Sequence, residues 1–399
     1  MSQAMHATMK TSIRCLRRAR GALLTLVMAL PPALAGAEPG VSPTAVRFGV
    51  LMPLSSAFAE IGVSYFRGAR AAMEETNRQG GVAGRKVQLV ALDTLPIPQE
   101  TVSQAKDAIT TNAVDEQVIG LMGVVGMPSV AALVPVLESN GIPLIGVATG
   151  LVSQIRDPAG WVFPVRRGDE EVMEGMVRLL SNMSVGQLAV VHPRSPDATR
   201  QVQLLRESVK SGKVSLVAHV EVGDTSIELG PQVAVLMAAR PEAVLTLGSY
   251  QMTEALVRQM RAAGYKGLFI AHSDVGTRKL IGALKDGARG MGVVSGLPSP
   301  NSNHMAIGRE YRLAMERQLD GERMVVDEAS FEGYLAARVA LEGLKQLGTT
   351  PTRKGLRYAL SSQPLEVSGL RFDYRKSAER GLQSPGTLYV VTGDGRISQ

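Results

Sequence analysis

The chain has 399 residues, more than one hydrophobic core usually covers, so we expect two domains. Of its 43 Lys and Arg residues, five lie within residues 1–37, which contain no Asp or Glu. The rest of the chain holds 38 basic against 36 acidic side chains, which excludes the broad basic surface of a nucleic-acid-binding protein.

The N-terminus has the pattern of a secretory signal peptide. A basic segment precedes the apolar stretch 21–34, which ends in an A-x-A-like sequence of small residues. This stretch is shorter than the roughly 18 apolar residues of a membrane anchor and contains Pro31 and Pro32. We therefore expect residues 1–37 to be cleaved and the protein to be released into the periplasm. The single cysteine, Cys15, lies within the basic segment, so it is badly placed for lipid attachment, and the exported chain has no thiol chemistry.

Hydrophobic periodicity from residue 46 onward predicts an α/β fold. Short β-branched runs alternate with helical patterns, which is typical of βαβ units around a parallel sheet. The first series of predicted strands comprises residues 46–51, 87–93, 118–122, 142–147 and 161–165.

A second series repeats this arrangement after residue 166. Its predicted strands are 187–192, 214–222, 243–247, 267–271 and a crossing strand at 292–296. Three helices at about 305–320, 327–347 and 351–361 then return to cover the first domain, and strands at 370–374 and 388–392 follow.

Two neighbouring strands end in loops of small residues, and these loops are the candidate ligand site. After strand 118–122, Pro128 suits the first turn of a helix, and Ser129 follows where free amide groups point outward. Those amides and the positive end of the helix dipole attract a carboxylate. Strand 142–147 delivers residues 148–150 beside them, at the edge where ligands of parallel sheets collect. Two ordinary solvated turns are the alternative interpretation of the same residues.

No catalytic, cofactor or metal motif accompanies these loops. The glycine-rich segment 287–292 lies between a helix end and a strand, the reverse of the order that a dinucleotide loop requires. The histidines show no ligand spacing, and the sequence has no H-E-x-x-H, P-loop or G-x-S-x-G pattern. We therefore expect no enzymatic activity, cofactor or metal, and a periplasmic hydrolase is only a remote alternative.

Six short segments, taken in order along the chain, carry a resemblance to a known family. They are VRFGV at 46–50, RGA at 67–69, NRQGGVAGRK at 77–86, GMPS at 126–129, ATG at 148–150 and SDVG at 273–276. Over about residues 46–395 the chain thus resembles the leucine/isoleucine/valine-binding-like solute-binding proteins of branched-chain amino-acid-type ABC transporters. The resemblance implies an α/β fold of two Rossmann-like lobes with parallel sheets, joined by three hinge crossings, which is the type I periplasmic binding fold.

The resemblance also implies how the chain divides. Residues 1–37 would be the signal peptide, residues 46–165 and 294–366 lobe one, and residues 166–293 and 367–399 lobe two with the hinge return. Two lobes on three thin connections are suited to closing around a ligand.

In the family, loops of lobe one hold the carboxylate and the amine of the ligand, and lobe two closes over it. The corresponding positions in lobe one are Ser129, Ala148 and Thr149, and Tyr250 matches an aromatic position of lobe two. The expected ligand site therefore comprises Met127, Pro128, Ser129, Ala148, Thr149, Gly150, Tyr250, Ser273 and Asp274.

Lobe two departs from the family pattern where the amine of a ligand would bind. Leucine-type proteins place a glutamate where this chain has Ser273, and Asp274 is only adjacent; on an extended segment it would face the other way. A tyrosine–glycine pair expected after His192 is replaced by Pro196 and Asp197. The sequence therefore favours a small carboxylate or amide without an amine, with a branched-chain amino acid as the close alternative.

These implications define the expected function. The chain would be the periplasmic substrate-binding component of an ABC importer, and it would deliver a small amino acid or a related carboxylate or amide to a permease of the inner membrane. We expect a monomer that binds this small molecule and no nucleic acid. A sensor of the same fold, reporting its ligand to a receptor or kinase, is an alternative, because nothing in the chain separates the two roles.

Overall fold

A computed structural model describes residues 38–55, 59–111, 113–210, 212–223, 227–318, 326–375, 381–383, 387–391 and 397–398. The predicted signal peptide, residues 1–37, lies outside these ranges. No helix within them is both long enough and apolar enough to cross a membrane.

Strands and helices alternate along most of the described chain, as the sequence predicts. The strands are β1 (Ala45–Met52), β2 (Lys86–Asp93), β3 (Gly120–Gly123), β4 (Leu144–Ile145), β5 (Val162–Phe163), β6 (Gln187–Pro193), β7 (Ser215–Val222), β8 (Ala243–Thr246), β9 (Leu268–His272), β10 (Gly292–Ser295), β11 (Leu365–Val367), β12 (Leu370–Asp373), β13 (Gly381–Leu382), β14 (Thr387–Val391) and β15 (Ile397–Ser398). The helices are α1 (Ala59–Arg78), α2 (Pro98–Thr110), α3 (Met127–Asn140), α4 (Asp169–Asn182), α5 (Pro196–Lys210), α6 (Gly230–Ala239), α7 (Tyr250–Ala262), α8 (Thr277–Leu284), α9 (Ala306–Glu316), α10 (Glu328–Leu347) and α11 (Arg353–Ser362).

The first sheet is parallel throughout the described residues, in the order β2-β1-β3-β4-β5. Strands β1 and β3 are buried along their length except for the half-buried Arg47, because helices cover both faces of a parallel sheet. Strand β4 is shorter than the predicted strand 142–147. Gly146 has a φ of +69°, and a Cβ there would overlap Ala336 of α10, so the backbone leaves the sheet at this point.

The second sheet has a parallel centre with two antiparallel strands at one edge. In the described ranges its order is β15-β14-β10-β9-β8-β6-β7, and the strands from β10 to β7 run parallel. Strands β14 and β15 come from the end of the chain and pair antiparallel. The chain therefore builds a second βαβ sheet, leaves it after β10 and returns to it with β14 and β15.

Helix α10 belongs to the first sheet although it follows the second in sequence. It lies directly against α1, where glycine allows the two backbones to approach. A Cβ at Gly68 would overlap the carbonyl oxygen of Ser330, and one at Gly333 would overlap that of Tyr65. Phe331 of α10 is buried in the same core as strand β1. This close contact fixes which face of α10 packs against α1.

The segments that connect the two sheets are hydrogen-bonded to one another. After β5, Arg167 donates its backbone N–H to the carbonyl oxygen of Gly296, which follows β10, at 2.9 Å. Tyr374 follows β12 of the small antiparallel sheet β11-β12-β13, and its hydroxyl donates to the carbonyl oxygen of Pro164 at 3.0 Å. A Cβ at Gly296 would lie 2.6 Å from the Arg167 oxygen, so glycine is needed at this contact. The lobe boundaries implied by the resemblance stay a prediction.

Candidate functional site

The two small-residue loops lie side by side at the carboxyl edge of the first sheet. Val125 and Ala148 form a parallel bridge, and Ala148 donates its N–H to the carbonyl oxygen of Val124 at 2.9 Å. Gly126, with a φ of +83°, turns the chain into α3, which begins at Met127. The two loops are therefore neighbours, as expected from the sequence.

Ser129 and Thr149 are the polar side chains of these loops, and both are buried, with 2% and 4% of their surface exposed. Ser129 is the third residue of α3, and Pro128 lies in its first turn, as predicted. The Thr149 Oγ1 accepts a hydrogen bond from the N–H of Leu151 at 3.2 Å. A hydroxyl that accepts in this way still has its proton to donate. The ligand-binding roles of Ser129, Ala148, Thr149 and the flanking residues stay predictions.

A carboxylate of the protein itself occupies the start of helix α3. The Oδ2 of Asp197, in the first turn of α5, accepts from the N–H of Met127 at 3.1 Å. The same oxygen would lie 3.4 Å from a Cβ at Gly126, which is an ordinary contact, so glycine is favoured there by its φ of +83° and not by lack of space. Burial raises the pKa of Asp197 against the hydrogen bond from Met127, and Asp274 and Asp169 add to the rise. The helix end that was predicted to attract a ligand carboxylate already holds one.

Arg166 is the central cation between the two sheets and is only 4% exposed. Its Nη2 lies 2.9 Å from Asp274 Oδ1 and 3.3 Å from Ser273 Oγ. Its Nε lies 3.6 Å from Oε1 of Glu332, which is also 4% exposed, close enough for attraction but without a hydrogen bond. Burial opposes the charge on Arg166, but Asp274 and Glu332 outweigh it and raise the pKa of the guanidinium.

The prediction that Asp274 faces away from Ser273 is wrong, because both side chains reach Nη2 of Arg166. The alternation of side chains holds only for extended backbone. Here Ser273–Val275 form a 3-10 turn that ends at Gly276, with a φ of +80°. Asp274 therefore turns toward the cation, with 45% of its side chain still exposed.

His272 links Asp274 to Asp169, the first residue of α4. Its Nδ1 lies 3.3 Å from Asp274 Oδ2 and its Nε2 3.5 Å from Asp169 Oδ1. Burial opposes protonation of His272, but Asp274 and Asp169 outweigh it and raise its pKa to about 10. Burial also opposes the charge on Asp274, yet Arg166 and His272 hold the pKa of that carboxyl well below its usual range.

Gly150 connects the predicted loop to these charges. The N–H of Asp169 donates to the carbonyl oxygen of Gly150 at 2.7 Å, and a Cβ at Gly150 would overlap the Asp169 carboxylate. The other oxygen of Asp169 accepts from Gln201 at 2.8 Å. The glycine of the A-T-G segment thus makes room for a buried acid as well as shaping a turn.

Several of these buried groups lack hydrogen-bond partners among the described residues. They include Nε of Arg166, Nε2 of His272 and Oε1 of Glu332. Burial, with Asp274 and Asp169, raises the pKa of Glu332 to about 7 against the lowering effect of Arg166. We refer to six side chains together as the polar cluster: Arg166, Asp169, Asp197, His272, Asp274 and Glu332. Buried polar groups are almost always hydrogen-bonded, so these unpaired atoms of the polar cluster are available to form hydrogen bonds with a polar ligand.

Tyr250 lies in a different part of the interface. The ammonium of Lys279 lies over its ring, 5.1 Å from the ring centre. Lys279 and Arg278 of α8 form ion pairs with Glu60 of α1, which bridges the two sheets. The described contacts of Tyr250 therefore tie it to this ion pair and not to Ser273 or Asp274.

A cavity of ≈ 590 Å³ opens beside the Asp197–Met127 contact. It is lined by Met127, Gln154, Arg194, Ser195, Pro196, Thr199, Arg200 and Gln203. Arg200 of α5 bonds Gln154 of the first-sheet loop across it. Of the predicted ligand residues, only Met127 lines this cavity.

Most members of the polar cluster were missed by sequence reasoning. Arg166, Asp169 and Glu332 carry no motif. One available signal was Glu332, a charged residue in a stretch of α10 that is otherwise apolar or small. Among the described residues no group of three or more His, Cys, Asp or Glu is placed to hold a metal ion.

Comparison with known sequences finds relatives over most of the chain. The family profile described as periplasmic binding protein matches residues 45–396. Leu/Ile/Val-binding protein homolog 3 of Brucella melitensis is 24% identical over 358 residues, which cover 88% of this chain and 92% of that protein.

Solved structures share the fold. An extracellular ligand-binding receptor from Verminephrobacter eiseniae has a TM-score of 0.80 at 22% identity, covering 88% of this chain and 99% of that one. A substrate-binding periplasmic protein from Ralstonia solanacearum has a TM-score of 0.78 at 26% identity, covering 89% and 99%. The predicted α/β fold of two Rossmann-like lobes is confirmed.

Proposed function

Since the chain belongs to the periplasmic binding protein family, we propose that it is the substrate-binding component of an ABC importer. It captures a small amino acid, or a related carboxylate or amide, between its lobes and passes this ligand to a permease in the inner membrane. It acts in the periplasm as a monomer, after cleavage of the leader at residues 1–37. It carries out no catalysis.

The observation that carries this proposal is the meeting of polar groups between the two sheets. The loops after β3 and β4 lie beside a buried set of charges. In this set Arg166, His272 and Glu332 each have an atom without a hydrogen-bond partner in the described part of the chain. A few convergent polar groups between two domains are typical of a small-molecule site. The Brucella relative is named for leucine, isoleucine and valine, which supports the amino-acid class.

A thermal-shift screen tests the ligand class. The purified exported protein is heated with single amino acids, their amides, short carboxylates and aromatic acids, and each hit is measured by titration calorimetry. A ligand at one hundred times its Kd adds about 2.7 kcal/mol to the free energy of unfolding. We expect at least one compound of these classes to raise Tm; a screen with no stabilising compound overturns the proposal.

Uptake measurements test the importer role. The radiolabelled hit is supplied to cells with and without the gene for this chain, and accumulation is followed over minutes. We expect uptake at low ligand concentration to be lost in the deletion strain and restored by the gene. Unchanged uptake, together with ligand-dependent signalling, would assign the chain to a sensor.

A further inference from the structure

Two histidines of the second sheet form a hydrogen-bonded pair outside the polar cluster. His192, at the end of β6, is only 1% exposed, and His219 lies on β7, the edge strand beside it. Their Nε2 atoms are 2.6 Å apart, their ring centres are 4.8 Å apart, and their ring planes differ by 2°. Rings stacked face to face at that separation could not bring the Nε2 atoms so close. The two rings therefore meet edge to edge in nearly one plane.

An irregularity in the strand pairing places His219 beside His192. The register between β6 and β7 shifts by one residue, which leaves Val217 as an extra residue on β7. After this bulge His219 pairs with Val190, which packs in the core beneath α4 and α5. Because alternate residues of a strand share a face, His192 lies on that same side.

The partners at the two ends of the pair fix the positions of its protons. Nη2 of Arg206, on α5, lies 2.9 Å from Nδ1 of His219, and a guanidinium can only donate, so this Nδ1 accepts. The proton of His219 is therefore on Nε2 and points at Nε2 of His192. Nδ1 of His192 lies 2.8 Å from the carbonyl oxygen of Pro193, which can only accept, so His192 carries its proton on Nδ1. Both rings are neutral, and each of their four nitrogens has a partner.

This arrangement has no place for a further proton. On Nδ1 of His219 the proton would face the guanidinium of Arg206, and on Nε2 of His192 it would face the N–H of His219. In either case two donors oppose each other, so one of the hydrogen bonds must break. Burial, His192 and Arg206 accordingly lower the pKa of His219 against the raising effect of Glu221.

The other charged groups near the pair are already paired. Nε of Arg194, which follows β6, lies 2.7 Å from Oε1 of Glu221 on β7. Strand β8, on the other side of β6, carries no charged residue. The buried acid of α4, Asp169, accepts from Gln201 of α5. The side chains that α4 packs into the core beneath β6 are apolar: Val172, Met173, Met176, Val177 and Leu180.

The pair joins three parts of the second sheet. It ties β7 to the end of β6, it ties α5 to β7 through Arg206, and it holds the carbonyl of Pro193, which leads into α5. Strand β7 pairs with β6 alone in the described ranges, so it depends on this side of the sheet for its support. The first turn of α5 carries Asp197, whose bond to Met127 reaches the first sheet.

We propose that His192 and His219 form a proton-operated switch of the second sheet: the neutral pair holds β7 and α5 against β6, and one added proton releases them. The switch goes beyond the proposed function, since it acts without a ligand. Below about pH 6.5, the ordinary pKa of histidine, the opened edge binds more protons than the closed one. The stability of the closed edge is therefore complete above this pH and is lost as the pH falls.

Hydrogen exchange of backbone amides, followed by mass spectrometry on the purified exported protein at pH 5 and pH 7, tests the switch. Each rate is divided by that of the unfolded chain at the same pH, and β2, an edge strand of the first sheet without histidine, is the internal reference. We expect the protection of β7 and of the start of α5 to fall by roughly fivefold or more relative to β2 at pH 5. The measurement has to be local, because burial of Glu332 gives the whole fold a pH dependence of the opposite sign.

His219→Gln is the deciding variant, because glutamine keeps an N–H donor and a carbonyl acceptor but does not titrate. His304→Gln, at an exposed histidine before α9, is the control. We expect the loss of protection at pH 5 to disappear in His219→Gln and to persist in His304→Gln. A loss that persists in His219→Gln overturns the proposal, as does a wild-type β7 that is equally protected relative to β2 at both pH values.

NMR of the wild type labelled with nitrogen-15 at histidine decides the question even if His219→Gln does not fold. At pH 8 we expect the Nδ1–H tautomer for His192 and the Nε2–H tautomer for His219. We also expect His219 to take up its proton at a lower pH than the histidines of the chain unfolded in urea. Other tautomers, or uptake at the unfolded value, contradict the switch. One equivalent of zinc ions that shifts both ring signals would identify the pair as metal ligands instead.

Discussion

The loops after β3 and β4 and the polar cluster build the same interlobe region by opposite means. The loops use small, uncharged residues and present backbone amides and two hydroxyls, those of Ser129 and Thr149. The polar cluster uses long charged side chains drawn from widely separated parts of the chain. Backbone donors are fixed by the fold, whereas side-chain charges must be balanced against one another, so the polar cluster is where a change in one residue disturbs the others.

Removal of the central cation should have the largest effect. Arg166→Met leaves Asp274 and Glu332 without the partner that offsets their burial, and breaking a buried pair costs about 3–5 kcal/mol. We expect the free energy of unfolding in urea at pH 7 to fall by that amount. Arg178→Met, which removes an exposed guanidinium of α4 paired with Glu174, is the control and should change it by less than about 1 kcal/mol. Equal stability of the two variants would mean that the polar cluster behaves like surface charge.

The pH dependence of stability should separate the polar cluster from the neutral loops. The pKa of Glu332 is raised to about 7, so between about pH 4.5 and 7 the folded chain binds more protons than the unfolded chain. Stability then falls as pH rises through this window, by up to roughly 3 kcal/mol. His272, with a pKa of about 10, extends the fall above pH 6.5, whereas Asp274 contributes stability that is lost only in strong acid.

Glu332→Gln provides the matching measurement. Because glutamine does not titrate, the Tm of this variant should fall less steeply between pH 5 and 7 than that of the wild type. Glu207→Gln, which removes an exposed carboxylate of α5, is the control and should leave this slope unchanged. A wild-type Tm that rises steadily from pH 5 to 7 would contradict the sign of this dependence.

On the loop side, the effect should appear in ligand affinity. Thr149→Ala removes a buried hydroxyl that is available as a donor, which should weaken binding of the best compound of the screen by about 1–3 kcal/mol. Titration calorimetry measures this loss, and Thr110→Ala on the exposed end of α2 is the control. Unchanged affinity in Thr149→Ala would remove the loop after β4 from the ligand site.

The smallest effect is expected at the rim of the interface, by which we mean the exposed ion pairs of Glu60 with Arg278 and Lys279. Glu60 pairs with Arg278 and Lys279 across the interface, but these side chains are 39%, 50% and 41% exposed. Glu60→Gln should lower the free energy of unfolding by about 0.2–1 kcal/mol at low salt, and by nothing measurable in 1 M NaCl, where the Debye length is about 3 Å. A larger loss that persists in high salt would show that the rim is desolvated like the polar cluster.

The same contrast explains what the sequence could predict. The loops 126–129 and 148–150 were expected to be neighbours because parallel strands end at one edge, and their glycines and Pro128 mark local geometry that depends on a few adjacent residues. Periodicity likewise located the strands from β1 to β10, together with β12 and β14, and helix α10 where it returns to the first sheet; the short strands β11, β13 and β15 were not predicted.

The polar cluster was not predictable from local pattern. Arg166, His272 and Glu332 are brought together only by tertiary folding, from positions more than fifty residues apart, and a single charged residue has no spacing to be recognised by. The wrong orientation of Asp274 has a local cause, since the backbone enters a 3-10 turn at Ser273 instead of remaining extended. Asp197 was noticed as a departure, but its contact with Met127 depends on how the two lobes meet.

The bonds between the connecting segments have a mechanical consequence. Three independent tethers would let two bodies slide, twist and bend with many degrees of freedom. Here Arg167 is joined to Gly296, and Tyr374 to Pro164, so neighbouring tethers resist shear against one another. We therefore expect relative motion of the two sheets to be reduced toward rotation about a single axis. A ligand captured between the lobes, as proposed, would then hold them shut most effectively if it bound far from that axis.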